Sequence, residues 1–194
     1  MAVVTARGRA RRELLLNATA QLVAARGFHA VGIGEIGAAA GVSGAAIYRH
    51  FANKQELLVA LIDRVIDELL ASGRAVVADA ADADDALRGL VQRHVAFALR
   101  DRAIITVYDQ EVHNLPEEPR RRLRRNQRLY ANLWVDAVVV VRPDWDRERA
   151  TAAVHGVFGL LNSVADYQPR LSDADTSVLL VSLAEAAFGL AARG

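Results

Sequence analysis

The side chains best equipped for chemistry in this 194-residue chain gather between Ser43 and Lys54. Tyr48-Arg49-His50 is followed four residues on by Lys54, with Ser43, Gly44 and Ala45 just ahead. None of them is a nucleophile with a base beside it. They are hydrogen-bond donors, small side chains and fixed cations, the groups that grip phosphate oxygens and meet base edges. The Arg49 fork matches the two acceptors of a guanine, and the Ala45 methyl can lie on a thymine methyl. His50 can bind phosphate or pack beneath its own helix. Elsewhere the means of catalysis are missing. The chain has no Cys, its five His occur in no HxH or HExxH spacing, and no Gly-rich phosphate loop follows a strand. Asp82, Asp84 and Asp85 lie together, but in an apparent loop without a binding framework. The expectation is a binding protein and not an enzyme, with no cofactor and no metal.

Those side chains need a scaffold, and the residues from Gly32 to Leu58 supply one. Glu35 to Ala40 reads as a short helix with Ile33, Ile36 and Ala40 on one side, and Gly41 can take the left-handed conformation that closes it. Val42 follows as an apolar plug. Ser43 is a good N-cap for a second piece, Gly44 to Phe51, whose inner side is Ile47 and Phe51. Asn53 caps a third. Two short helices across a Gly-containing turn describe either a helix-turn-helix reader or an ordinary helical hairpin.

The ordered run Gly41-Val42-Ser43, Ile47-Tyr48-Arg49-His50-Phe51, Asn53-Lys54 and Glu56-Leu57-Leu58 resembles the DNA-binding signature of the TetR family of bacterial repressors. The resemblance covers roughly the first third of the chain. It implies an N-terminal DNA-binding domain over residues 1–51 and a larger helical domain over 52–194 for effector binding and dimerisation. By resemblance Tyr48 contacts the phosphate backbone and Lys54 is the phosphate-binding lysine, where a helix N-terminus already favours an anion. The sequence departs from the family's pattern at Gly44-Ala45-Ala46, at Val31 and Gly32, and at Gly34, where hydroxyl, basic or other polar side chains are frequent. Few direct base readers remain.

Composition agrees with such a division. Residues 1–50 carry six arginines (Arg7, Arg9, Arg11, Arg12, Arg26 and Arg49) against Glu13 and Glu35, a charge of +4, and the remainder therefore −3 of the total +1. A basic end on a mildly acidic body suits a protein that touches phosphate at one end. Arg7, Arg9, Arg11 and Arg12 either reach phosphates or a minor groove, or belong to a solvated tail, residues 1–8 reading as a mobile arm. Apolar content of 53% is ample for a core, yet no run of about 18 apolar residues could span a membrane. No apolar segment follows the basic N-terminus, so a cytoplasmic location is expected.

Hydrophobic periodicity predicts an all-α chain of about nine helices. The first spans Arg9–Arg26 with Leu15, Ala18, Leu22 and Ala25 inward; the fourth runs from Asn53 to about Ser72, with Gly73 as a stop or kink. Val77–Asp85 reads as a surface connection. A fifth helix carries Leu87 and Val91, Asp101 caps a sixth, and a seventh runs from Glu117 to before Pro143. The last two, from about Asp146 to Tyr167 (closed by Pro169) and from about Asp173 to Ala192, are apolar over most of their circumference. That pattern, with Ala152, Gly156 and Gly159 allowing close backbone approach, fits either a buried hairpin or a homodimer interface. The family's dimer is formed by its last two helices.

The resemblance also implies a small-molecule effector, hydrophobic or similar to an acyl coenzyme A, that enters the body and releases a double-stranded palindromic operator. The candidate lining is His94, Phe97, Tyr108, Glu111, Gln127, Tyr130, Trp134, Phe158 and Asn162, each aromatic of which could instead be core. His155 and Asn162 could line the cavity or pair at the interface. Arg120, Arg121, Arg122, Arg124, Arg125 and Arg128 form either a solvated face or a cationic rim. A dimeric DNA-binding or architectural protein without ligand response is the alternative.

Overall fold

The computed structural model describes residues 6–167 and 170–190, which form nine α-helices and no strand. The expected close of the penultimate helix at Pro169, the helical end at Ala192, and most of the N-terminal arm lie outside them. Among the described residues no helix is long and apolar enough to cross a membrane, and no three His, Asp or Glu side chains are grouped to hold a metal ion.

Three helices make the N-terminal head. α1 (Ala6–Arg26) starts earlier than its apolar stripe suggests and turns Leu15, Leu16, Thr19 and Val23 inward, leaving Ala25 exposed. Gly27 ends it at φ 78°. α2 (Ile33–Ala39) begins at Gly32, whose backbone N–H donates to the Glu35 carboxylate at 2.7 Å. That bond and the Arg26 guanidinium hold Glu35 below the usual carboxylate range. Gly41, at φ 65°, closes α2 as expected. α3 (Gly44–Ile47) is only four residues long, followed by turns through His50, shorter than the expected helix to Phe51.

α4 (Lys54–Asp79) is capped by Asn53, whose Oδ1 accepts from the Glu56 N–H at 2.8 Å, and runs 26 residues without a break. Gly73 is therefore no stop. It is a notch: a Cβ there would stand 2.8 Å from Cε2 of Tyr130 on the facing helix. The Ala-rich acidic stretch shrinks to a three-residue connection, because Asp82 caps α5 (Ala83–Arg100) by accepting from the Asp85 N–H. α6 (Arg102–Glu111) begins after Asp101, but the Asp101 carboxylate pairs with Arg100 and makes no cap bond. A 3₁₀ turn at Val112–Asn114 leads to α7 (Glu117–Val141). α8 (Arg147–Asn162) continues as a 3₁₀ turn to Ala165. α9 (Asp173–Phe188) ends at Gly189, φ 72°, in the left-handed conformation that closes a helix.

Two apolar cores result, and α4 belongs to both. One joins Leu15, Ile36, Ile47 and Phe51 of the head to α4 residues Leu57 through Ile66 and to Ile104 and Val107 of α6. The other joins Leu70 of α4 to α5, α7, α8 and α9 around Trp134.

Candidate DNA-reading face and effector cavity

Ile47 and Phe51 are fully buried under α3, which turns the opposite side outward. Ser43, Ala45, Tyr48 and Arg49 are exposed together there, Tyr48 at 58% of its full surface, while His50 is half-buried. Ser43 stands at the N-cap position, yet its hydroxyl makes no cap bond. Gly44 packs close to Gly34 of α2, where a Cβ would meet the Gly34 Cα at an ordinary 3.7 Å. Lys54 is placed more firmly than its sequence suggests. Its Nζ lies 4.3 Å over the Phe28 ring and 3.5 Å from the His29 carbonyl oxygen, so the cation is steered to the start of α4. Arg12 stacks on Phe51 in the same way, at 4.9 Å.

Behind the head lies a cavity of about 470 Å³. From α4 it is walled by Ile62, Val65, Ile66 and Leu69, two turns of one helical face. From α5 and α6 come His94, Phe97, Ile104, Ile105, Tyr108 and Asp109. α7 adds Arg124, Gln127, Arg128, Tyr130 and Ala131, and α8 adds His155, Phe158 and Asn162. The cavity sits on the seam of the two cores, since Ile62 and Ile104 belong to one and Tyr130 and Ala131 to the other.

His94 is the polar centre of its inner wall. The imidazole is buried, stacked on Phe158 at 4.8 Å and on Tyr130 at 5.8 Å. Its Nε2 lies 3.1 Å from the Asn162 carbonyl oxygen and its Nδ1 3.2 Å from the Tyr130 hydroxyl. A carbonyl oxygen only accepts, so Nε2–H donates to it and Nδ1 accepts from Tyr130. Burial pushes His94 down to about 4, which leaves it neutral near pH 7, and pushes the Tyr130 hydroxyl up. Tyr108 donates to Gln127 Oε1 at 2.8 Å.

Seven of the expected lining residues thus meet in one place, and two do not. Trp134 is fully buried behind His94 and Phe158, 6.2 Å from the Phe188 ring, and is core. Glu111 ends α6 and points away, pairing with His29 of the head at 2.6 Å. The α4 face was missed as lining, although its apolar residues at 62, 65, 66 and 69 carry the signal, and so was Asp109. The arginine run divides. Arg120 donates to a backbone carbonyl, Arg121 pairs with Glu117, and Arg122 pairs with Asp63 and Glu118. Arg124 and Arg128 stand at the cavity and make no such pair among the described residues.

Residues 15–61 match the family model of bacterial regulatory proteins, tetR family. Residues 80–170 match that of the tetracyclin repressor-like, C-terminal domain. Over 135 residues the chain is 30% identical to the nucleoid occlusion factor SlmA of Sodalis glossinidius, covering 69% of this chain and 67% of that protein. The chain belongs to the TetR family. The HTH-type transcriptional repressor KstR2 of Mycobacterium tuberculosis is 29% identical over 129 residues, 66% of this chain and 64% of that protein, so the match spans just under two thirds of the relative. The solved structure of KstR2 superposes with a TM-score of 0.71 at 25% identity, covering 91% of this chain and 93% of that one. AibR, solved in complex with isovaleryl coenzyme A and operator DNA, gives 0.74 at 20% identity over 89% and 97% of the two chains. That second likeness is one of fold.

Proposed function

We propose that the protein is a ligand-responsive, DNA-binding transcriptional repressor that acts as a homodimer. The observation that carries this reading is the position of the cavity. Its wall includes the middle of α4, and the same helix begins at Lys54 on the DNA side and shares a core with α3. A molecule that fills the cavity better in one setting of α4 than in another shifts the population of head positions, by no more than its difference in affinity for the two. Tyr48 and Lys54 serve as phosphate contacts and Arg49 as the main base reader. A ligand carried on coenzyme A, as in the AibR complex, is a natural first compound to test.

Dimerisation through α8 and α9 is supported by what these helices leave uncovered. Val178, Leu179 and Leu183 are 73%, 46% and 44% exposed, and Gly156 and Gly159 have open space where a Cβ would stand. Two such faces can bury each other with backbones close, and their two-fold axis sets the symmetry of the operator.

Fluorescence anisotropy tests the reading, using the DNA that flanks the coding region against a random duplex at two salt concentrations. The expected result is a specificity ratio that survives added salt and is lost in Gly159→Glu, which sediments as a monomer. Equal binding to both duplexes would favour an architectural protein. A dimeric Gly159→Glu would remove α8 from the interface.

A further inference from the structure

The hydrogen bonds inside the cavity have a direction, and resting on the effector reading above, they narrow the effector's chemistry. The Asn162 side chain spends its carbonyl oxygen on His94, and Gln127 spends its carbonyl oxygen on Tyr108. In each case the amide NH₂ has no partner among the described residues, on a residue that lines the cavity. His94 has both nitrogens engaged and offers nothing more. Arg124 and Arg128, one turn apart on α7, reach the same cavity from its exposed side and form no ion pair among the described residues, unlike Arg121 and Arg122 just before them. A guanidinium can only donate. One carboxylate, Asp109, stands on the wall; burial and the neighbouring Asp166 push its proton affinity up. His155 adds a second imidazole from α8, and the remaining surface is aliphatic and aromatic.

We infer that this cavity takes an apolar molecule ending in an anionic oxygen group, with Arg124 and Arg128 receiving the anion and the Gln127 and Asn162 amides donating to acceptor oxygens further in. Cationic and donor-rich molecules of the same shape are disfavoured, because they would face donors and leave them desolvated and unpaired. The anion can be a free carboxylate or the phosphates of a carrier thioester. The apolar body must fit a space of about 470 Å³.

The test uses the full-length protein without DNA and matched sets of ligands by calorimetry: acid, coenzyme A thioester, alcohol and amine, each on straight-chain, naphthyl and steroid bodies. For at least one body the acid or its thioester should bind roughly tenfold or more tighter than the alcohol, with the amine weakest, as expected for a hydrogen bond to a charged group. Acid ahead of thioester identifies a carboxylate ligand, and the reverse identifies the carrier phosphates. In Arg124→Gln/Arg128→Gln that preference should vanish while the alcohol binds as before. The inference is overturned if no acid or thioester binds, if an amine or alcohol matches its acid on every body, or if the double variant loses acid and alcohol alike. DNA release is read separately by anisotropy. An acid that binds through the arginines yet leaves DNA bound would sink the regulatory reading and leave the ligand class standing.

Discussion

The head and the body solve the same problem, holding helices in place, with different means. α2 has seven residues and α3 four, too short to persist alone, so each depends on a local device at nearly every position. Gly41 turns the chain, Glu35 ties back to Gly32, and Ile36, Ile47 and Phe51 plug the core. In the body, α4 and α7 run for 26 and 25 residues and meet along many turns. Long helices tolerate a local fault, and they can be held apart around a cavity. The head is a specified surface, and the body is a container.

The largest test of that contrast is acid. His94 is buried at the container's wall, whereas His29 of the head is largely exposed. With its folded value near 4 against an ordinary 6.5, the unfolded chain takes up a proton that the folded chain refuses. Stability from this group is complete above pH 6.5 and falls as pH drops toward 4, by up to roughly 3 kcal/mol. Both tryptophans, Trp134 and Trp145, lie in the body and report it directly by fluorescence. Denaturation midpoints should fall between pH 7 and 4.5, and His94→Gln should flatten that dependence. An equal slope in the variant would assign the acid sensitivity elsewhere.

A matched pair of glycine substitutions comes next. A Cβ on Gly37 would stand 2.9 Å from the Val42 carbonyl oxygen and 3.1 Å from the Gly44 nitrogen, both backbone. Gly37→Ala should therefore cost about 1–3 kcal/mol and weaken DNA binding without changing the sedimentation mass. Gly73→Ala meets side chains and no backbone, the ring of Tyr130 at 2.8 Å and Leu133 at 3.2 Å, and the gain in helix propensity of about 1 kcal/mol offsets part of the crowding. Its stability should fall by less than that of Gly37→Ala, while ligand affinity changes because Tyr130 lines the cavity. Similar losses in both variants would erase the distinction between head and body. The smallest effect belongs to the junction: Asn53→Ala removes the cap of α4 and should lower stability by about 1 kcal/mol in urea titration.

The same contrast explains what could be read beforehand. The head was legible almost residue by residue, because each of its devices demands a particular side chain: a glycine at positive φ, an asparagine at a cap, a buried Ile47. The helices of the body were legible from periodicity, but their contents were not. Periodicity groups Glu111 with Tyr108, yet α6 ends there and the carboxylate swings to His29. Trp134 and Tyr130 lie on one side of α7, and only the packing of α5 and α8 decides which faces the cavity and which the core. Gly73 looks like a terminator because a glycine that ends a helix and one that admits a neighbouring ring are the same letter.

The sharing of α4 between two cores bears on how such proteins can be recombined. A fusion that joins a foreign body to this head at residue 51 would sever Leu57, Leu58, Leu61 and Ile62 from the partners they bury with Leu15 and Ile47. A viable chimera must inherit α4 as far as Ile66 and the α6 residues that close over it. Modularity here has its joint inside a helix, and new pairings of head and body must be negotiated along that shared surface.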